Sequence, residues 1–378
     1  MLRLDVLLPT RNRARLVRQA IESLLAARIP EGLSVKIVVI DNGSTDETPA
    51  LLESLRTRHE GRIFVVFERR CGKSRALNAG IAATAGDLVG MIDDDEEVDG
   101  GWFAAVHRAF SSDPKLDYIG GPYVPVWAEK PPKWIPADYL AVLGEVGTGL
   151  TEQPFGTNFP GILKGGNAVI RRATLERVGP YAEYLGPAGP ARLLSCEDEE
   201  MYHRLVNAGA RGRYLPDLKV NHHVSASRLT PTYFRQWCFW RGVSRGLMDH
   251  ARPLPVPYLA GVPRFLYGSA WRGLSKLAAR VVNPSAKASL SDELKIWDLA
   301  GYFWGRHIYT LARFSPVRSR RSRTIRAEIP DAKPLGTAGH RWNSSCSSKV
   351  DHGESPSDRD QAGGVGMVEH RRTSSPAV

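Results

Sequence analysis

Cysteine is scarce: four residues in 378, at Cys71, Cys196, Cys238 and Cys346, and no two form a C-x-x-C pair. A short-chain disulfide framework is excluded, a structural zinc site is disfavoured, and a reducing compartment fits. Long apolar runs are missing too. No stretch reaches the roughly 18 uninterrupted apolar residues that a membrane-spanning helix needs. The opening apolar run is interrupted by Asp5 and Pro9 and is too short for a signal peptide. An integral membrane protein is therefore not expected. Nor does the composition favour disorder or a fibre: 42% of residues are hydrophobic and 24% charged, ordinary for a soluble globular chain. No internal repeat is evident.

The formal net charge is +11, and it is unevenly spread. Residues 1–250 carry 31 basic and 30 acidic side chains, residues 251–330 carry 14 and 4, and residues 331–378 carry six of each. Any contact with a polyanion is thus expected outside the first 250 residues. Within the basic segment Tyr267, Ala270, Trp271, Leu274, Leu277, Ala278 and Val281 form a stripe at helical spacing, with Arg272, Lys276 and Arg280 along another side. That pattern fits an interfacial helix on an anionic membrane surface. It equally fits a helix that packs on the core and leaves a solvated basic face. From Ser315 an Arg/Ser run leads into Ser, Gly and Pro without periodicity, and this tail reads as disordered.

Short apolar runs alternate with amphipathic ones over the first ~225 residues, the pattern of βαβ units. Leu4–Leu8, Val35–Ile40, Ile63–Phe67 and Leu88–Ile92 read as strands, and Arg15–Ala27, Glu47–Arg58 and Lys73–Ala85 as helices, the second capped by Thr45 or Asp46. The fold class is α/β, with a mostly parallel sheet flanked by helices. Ligands of such sheets bind beyond the carboxyl ends of the strands, here at Asp41 and Asp93. Residues 120–166 shift to Pro, Gly and aromatics, including Tyr123, Trp127, Trp134 and Tyr139, and read as a long irregular insertion. A helix over Ser195–Ala208 and a strand over Val220–Val224 follow.

Two acid runs carry the chemistry. Asp93-Asp94-Asp95-Glu96-Glu97 directly follows a buried strand, and adjacent carboxylates repel unless something cationic compensates. Oxygen ligands suit Mg²⁺ or Mn²⁺ shared with substrate phosphates. If the segment is extended, Asp93 and Asp95 point the same way; a solvated acidic loop is the plainer alternative. The second run is Glu197-Asp198-Glu199-Glu200. Asp198 shares a helical face with Met201 and Leu205, where burial would raise its pKa toward that of a general base. Acids in a first helical turn also simply complement the helix dipole. His222 and His223 at a strand end suit either a buried role or a metal or phosphate contact. Gly72-Lys73-Ser74 is no P-loop, because Phe67 stands where that motif needs a glycine.

Together these segments resemble the family-2 glycosyltransferases of the GT-A fold, over roughly residues 2–245. Val6–Arg13 is similar to the opening strand and nucleotide loop, Val38–Asp46 to the second strand and its base-contacting Asp, and Gly72–Gly80 to the helix over the nucleotide. Asp93-Asp94-Asp95 stands at the D-x-D, Gly165-Gly166-Asn167 at the Gly-Gly turn, and Glu197-Asp198 at the E-D pair. The resemblance implies that Pro9, Thr10, Arg13, Asp41, Gly72, Lys73, Asn78, Asp93 and Asp94 bind the donor nucleotide. It implies further that Asp95 and His222 hold Mn²⁺ or Mg²⁺ and that Asp198 is the catalytic base of an inverting transfer. Gly165, Gly166, Asn167 and Glu197 would line the sugar or acceptor site, with Trp134 a stacking platform or a loop anchor. Gln236-Trp237-Cys238-Phe239-Trp240 carries Phe where processive members carry the Arg of Q-x-x-R-W, so single-sugar transfer is expected.

The implied partners are a UDP-, GDP- or dTDP-sugar donor, a carbohydrate or lipid-linked acceptor and an anionic membrane surface. No nucleic acid is expected, and the implied location is cytoplasmic or peripheral on that face of the membrane. Three rivals make different predictions. A sugar nucleotidyltransferase usually opens with a glycine-rich loop, absent from Pro9-Thr10-Arg11-Asn12; a non-catalytic relative would have lost key acids; an RNA binder would show steep salt dependence lodged beyond residue 250. The expected organisation is a transferase domain over 1–228, a basic helical extension over 229–314 and a tail over 315–378.

Overall fold

Strand β1 (Leu2–Thr10) is apolar on both faces. Leu4, Val6 and Leu8 enter one hydrophobic layer and Leu7 the other, all fully buried, as suits a strand in the middle of a parallel sheet. A computed structural model describes residues 1–309 except 145–148, 157, 190–191, 284 and 286–288. The expected tail over 315–378 lies outside the described residues.

Three crossovers build the first half of the sheet. Helix α1 (Ala14–Ala26) leads to β2 (Leu33–Asp41), α2 (Thr48–Arg58) to β3 (Ile63–Phe67), and α3 (Lys73–Ala82) to β4 (Leu88–Ile92). All four strands run parallel, and the register pairs Thr10 with Asp41, so the carboxyl ends of β1 and β2 are level. The Asp46 carboxylate accepts the Thr48 N–H at 3.0 Å and helps start α2. Helix α3 stops three residues earlier than its apolar pattern predicts. The buried carboxylate of Asp5 accepts the N–H groups of Ala85 and Gly86 at 3.1 and 2.5 Å and turns the chain into β4.

Next come β5 (Glu96–Val98), α4 (Trp102–Ser112), β6 (Tyr118–Gly120), β7 (Tyr123–Trp127), β8 (Gln153–Pro154), β9 (Asn167–Arg171), α5 (Arg172–Val178), α6 (Glu197–Asn207), β10 (Gly212–Tyr214) and β11 (Val220–Val224). The main sheet has the order β3-β2-β1-β4-β9-β6-β10-β8, with β9 and β8 antiparallel to their neighbours. A second sheet, β5-β11-β7, stands apart from it. Two expectations change. The first acid run is not wholly a loop, since Glu96 and Glu97 belong to β5. The insertion over 120–166 is not wholly irregular, since it opens with β7 and holds a 3₁₀ segment, Ala137–Leu143.

Helices α7 (Pro231–Ala251), α8 (Arg264–Val282) and α9 (Leu290–Phe303) complete the described chain, which ends in a π-helical turn, Trp304–Tyr309. Glycines let α7 and α9 meet backbone to backbone: a Cβ on Gly301 would lie 1.9 Å from the Phe239 carbonyl. Helix α7 in turn braces the functional half. Phe234 and Cys238 pack with Ile135, Leu143 and Val224, and Val243 and Leu247 pack with Leu185, Leu194 and Cys196. No described helix is long and apolar enough to cross a membrane.

Candidate active site

Register brings the site together. β4 pairs antiparallel with β9, Ile92 opposite Asn167, which sets Gly165-Gly166 beside the acid run. β11 pairs antiparallel with β5, His222 opposite Glu96, and the His223 N–H donates to the Asp95 carbonyl at 2.8 Å. The acid run itself is a tight turn, closed by the Glu96 N–H on the Asp93 carbonyl at 3.1 Å. This corrects the extended segment expected from the sequence. The three aspartates fan out to separate partners instead of pointing one way.

Each aspartate meets a cation, with Arg13 shared by Asp94 and Asp95. Asp93 takes the Lys73 ammonium at 2.7 Å, and Asp94 takes Arg13 at 2.7 Å and the Thr10 hydroxyl at 2.8 Å. The Oδ2 of Asp95 accepts from Arg13 at 3.1 Å and Arg228 at 3.0 Å. Burial pushes Asp94 up to about 6 despite Arg13. Burial would do the same to Asp95, but Arg228, His222 and Arg13 together hold it below the ordinary carboxylate range. Glu96 is fully enclosed; burial, then the charges of Asp93 and Asp95, keep its carboxyl well above that range. It accepts the Asp93 N–H at 3.0 Å, and its charge helps burial raise the Tyr123 hydroxyl well above its ordinary range.

His222 is held as a neutral imidazole, its pKa lowered chiefly by burial. Its Nδ1 sits 3.1 Å from the Leu143 carbonyl, so Nδ1 carries the proton and Nε2 is the acceptor. Nε2 faces Arg228 at 3.2 Å and the Asp95 Oδ1 at 3.9 Å. A carboxylate oxygen beside a neutral imidazole is a donor set that suits Mn²⁺ or Mg²⁺. Among the described residues no three such side chains form a ready cage, so phosphate oxygens would have to complete the coordination.

The second acid run opens α6 after Cys196, whose left-handed φ of 69° is uncommon for a residue other than glycine. Asp198 is partly accessible as a residue, yet its Oδ1 is buried without a hydrogen-bond partner. Its carboxylate lies hard against Gly165, where a Cβ would stand 2.0 Å from Oδ1. A Cβ on Gly166 would likewise meet Glu96 at 2.3 Å. Only glycine lets the chain pass between the two acids. Burial raises the Asp198 pKa, and Lys73 opposes that rise. Burial and Asp198 drive Glu197 up as well, with Lys73 3.7 Å from its carboxylate. Lys73 stays an ammonium, because Asp93, Asp198 and Glu197 outweigh its own burial.

The remaining expected residues divide. Asp41 accepts the Ser44 N–H at 2.8 Å at the level edge beside Pro9 and Thr10. Gly72 donates its N–H to the Asn42 side chain at 2.7 Å, while the amide of Asn42 clamps the carbonyls of Glu68 and Arg70. Asn78 does not join the acids: its amide is spent on the Tyr181 backbone in both directions, at 2.9 and 2.8 Å. Asn167 anchors the Trp102 indole at 2.9 Å and the Leu218 carbonyl at 2.6 Å, and Trp134 packs edge-on to Phe234. A cavity of about 360 Å³ lined by Cys71, Gly72, Arg75, Glu183 and Arg192 opens near the start of α3, and neither Asp95 nor Asp198 lines it. Sequence reasoning missed Arg228, Glu96, Tyr123 and Asn42. The demand for a cation beside five acids was a signal for Arg228.

This sheet, with its carboxyl edge ringed by carboxylates, has the GT-A fold of glycosyltransferases. It is similar to a solved structure described as mannosyltransferase PcManGT from Pyrobaculum calidifontis in complex with GDP-Man and Mn²⁺, with a TM-score of 0.52 and 18% identity over 80% of this chain and 87% of that one. Residues 5–179 match the family model for glycosyl transferase family 2, and over those residues the chain is similar to glycosyltransferases of that family. Among curated relatives, a glucosyl-dolichyl phosphate glucuronosyltransferase of Haloferax volcanii is 24% identical over 62% of this chain and 73% of its own length. The succinoglycan biosynthesis protein ExoM of Rhizobium meliloti is 25% identical over 65% and 74%. The pre-mycofactocin glycosyltransferase of Mycobacterium tuberculosis is 25% identical over 85% and 68%.

Proposed function

We propose that this chain is an inverting, divalent-metal-dependent glycosyltransferase. It would move one sugar from a nucleoside diphosphate donor to a hydroxyl of a carbohydrate or lipid-linked acceptor, in cell-surface glycan or glycolipid synthesis on the cytoplasmic side. One observation carries the reading: the buried, unpartnered Oδ1 of Asp198 stands against Gly165, in a network that runs through Lys73 to Asp93. The relatives' names, one with a dolichyl phosphate-linked sugar and one in succinoglycan biosynthesis, support the acceptor class.

In this reading residues 1–228 carry the transfer site, and the helices α7 to α9 that follow brace it. Asp41 and the Thr10–Arg13 loop hold the nucleobase, Asp93 the ribose, and Asp95 with His222 the ion. When bound, the ion supplies Lewis-acid stabilisation of the charge developing on the leaving diphosphate. Asp198 takes the proton of the acceptor hydroxyl as that oxygen bonds the anomeric carbon. The bond from that carbon to the diphosphate oxygen breaks on the opposite face. The proton ends on Asp198, the nucleoside diphosphate departs, and the anomeric configuration inverts with no covalent enzyme intermediate. Lys73 favours the charged form of Asp198, and Gly165 leaves its oxygen room.

The test is a panel of UDP-, GDP- and dTDP-sugars with Mn²⁺, read by release of free sugar and nucleoside diphosphate. One donor consumed with inverted configuration is the expected result. Release of inorganic pyrophosphate from a nucleoside triphosphate supplied with a sugar 1-phosphate would make the chain a nucleotidyltransferase, and no turnover of any donor would make it a binding module.

A further inference from the structure

Helix α8 has more apolar surface than its packing uses. Leu266, Ala270 and Gly273 are buried, and the Gly273 backbone fits against Asp292 of α9. At 100° per residue the adjoining side carries Tyr267, Trp271, Leu274, Ala278 and Val281. Trp271 is 69% exposed and Val281 85%, and no residue beyond Leu277 in this helix is buried. The far flank carries Arg272, Lys276 and Arg280. The whole helix holds four basic residues and no acidic one.

We propose that this face of α8 docks the protein onto an anionic lipid surface. A ridge of Trp, Leu and Val in solvent marks an interaction site, and its basic flank selects the occupant. Trp belongs at the headgroup level, aliphatic side chains at the acyl boundary, and Arg and Lys on anionic headgroups. A second copy of the chain would set two such basic segments against each other, and an uncharged partner would leave the basic flank unused. Lys276 also reaches Asp292 at 3.4 Å while its side chain stays 56% exposed, so its charge remains available.

The experiment is flotation of the full chain with vesicles of phosphatidylglycerol mixed with phosphatidylcholine, against phosphatidylcholine alone. The expected result is binding to the anionic vesicles only, weakened roughly tenfold or more by Trp271→Ser, Leu274→Ser and Val281→Ser together. Arg272→Glu with Lys276→Glu weakens it by a similar factor. Thermal unfolding and donor hydrolysis in solution of the triple-serine variant stay as in the parent, which separates docking from transfer. Equal flotation of the triple-serine variant overturns the proposal, because basic residues elsewhere would then carry the binding. A concentration-dependent dimer that the serines abolish, with no flotation, also overturns it and assigns the face to a second copy.

Discussion

The two acid runs face one another across the Gly-Gly turn, yet they are compensated differently. In the first, Asp93, Asp94 and Asp95 are each paired with a fixed cation: Lys73, Arg13, or Arg13 with Arg228. In the second, Asp198 is opposed by Lys73 and, less strongly, by Lys164, and keeps one buried oxygen unpartnered. Carboxylates paired with fixed cations are suited to a binding role. A carboxylate raised by burial with a vacant acceptor oxygen is suited to receive a proton. Neighbouring acids of the same charge thus acquire different tasks from their surroundings.

That contrast is open to direct attack. The largest effect is expected for Asp198→Asn, which keeps the shape but removes the base. Turnover should fall by about 10²–10⁴-fold while the donor KM stays near its parent value, measured by steady-state transfer. Unchanged turnover would erase the difference between the runs. Gly165→Ala comes next. Its Cβ would collide with Asp198, so overpacking of ~1–3 kcal/mol is expected, read as a lower midpoint of thermal unfolding together with slower transfer.

The smallest effect is a pH shift. Transfer needs Asp198 deprotonated, so the rate is present above its pKa and lost as pH falls through it. Burial raises that pKa, which puts the acid limb of kcat above the ordinary carboxylate range. Lys73 lowers it, so Lys73→Met should move the limb further up. A limb that stays put would mean Lys73 serves only Asp93.

The sequence disclosed the first half of the sheet readily, because β1 to β4 are apolar runs separated by amphipathic helices. Val220–Val224 was legible for the same reason. β7 was not, since Pro125 and two aromatics disguise it; it pairs only with β11, and an edge strand tolerates proline. The short strands β6, β8 and β10 have too few residues to show a period. At the site the acids and glycines stood out as motifs, whereas Arg228, on a short turn six residues after His222, carries no pattern of its own. Its role follows only from the register that brings β11 beside β5. Asn78 shows the converse: a motif position whose side chain the fold uses to clamp the backbone of Tyr181.

The proposed transfer requires one pocket in which the first run binds and the second reacts. Calorimetric titration of UDP and GDP with Mn²⁺ into the parent chain, Asp95→Ala and Asp198→Asn tests that division. The expected result is that Asp198→Asn binds the preferred nucleotide like the parent, whereas Asp95→Ala loses about tenfold or more of its metal-dependent affinity. Equal loss in both variants, or parent-like binding by Asp95→Ala, would contradict it.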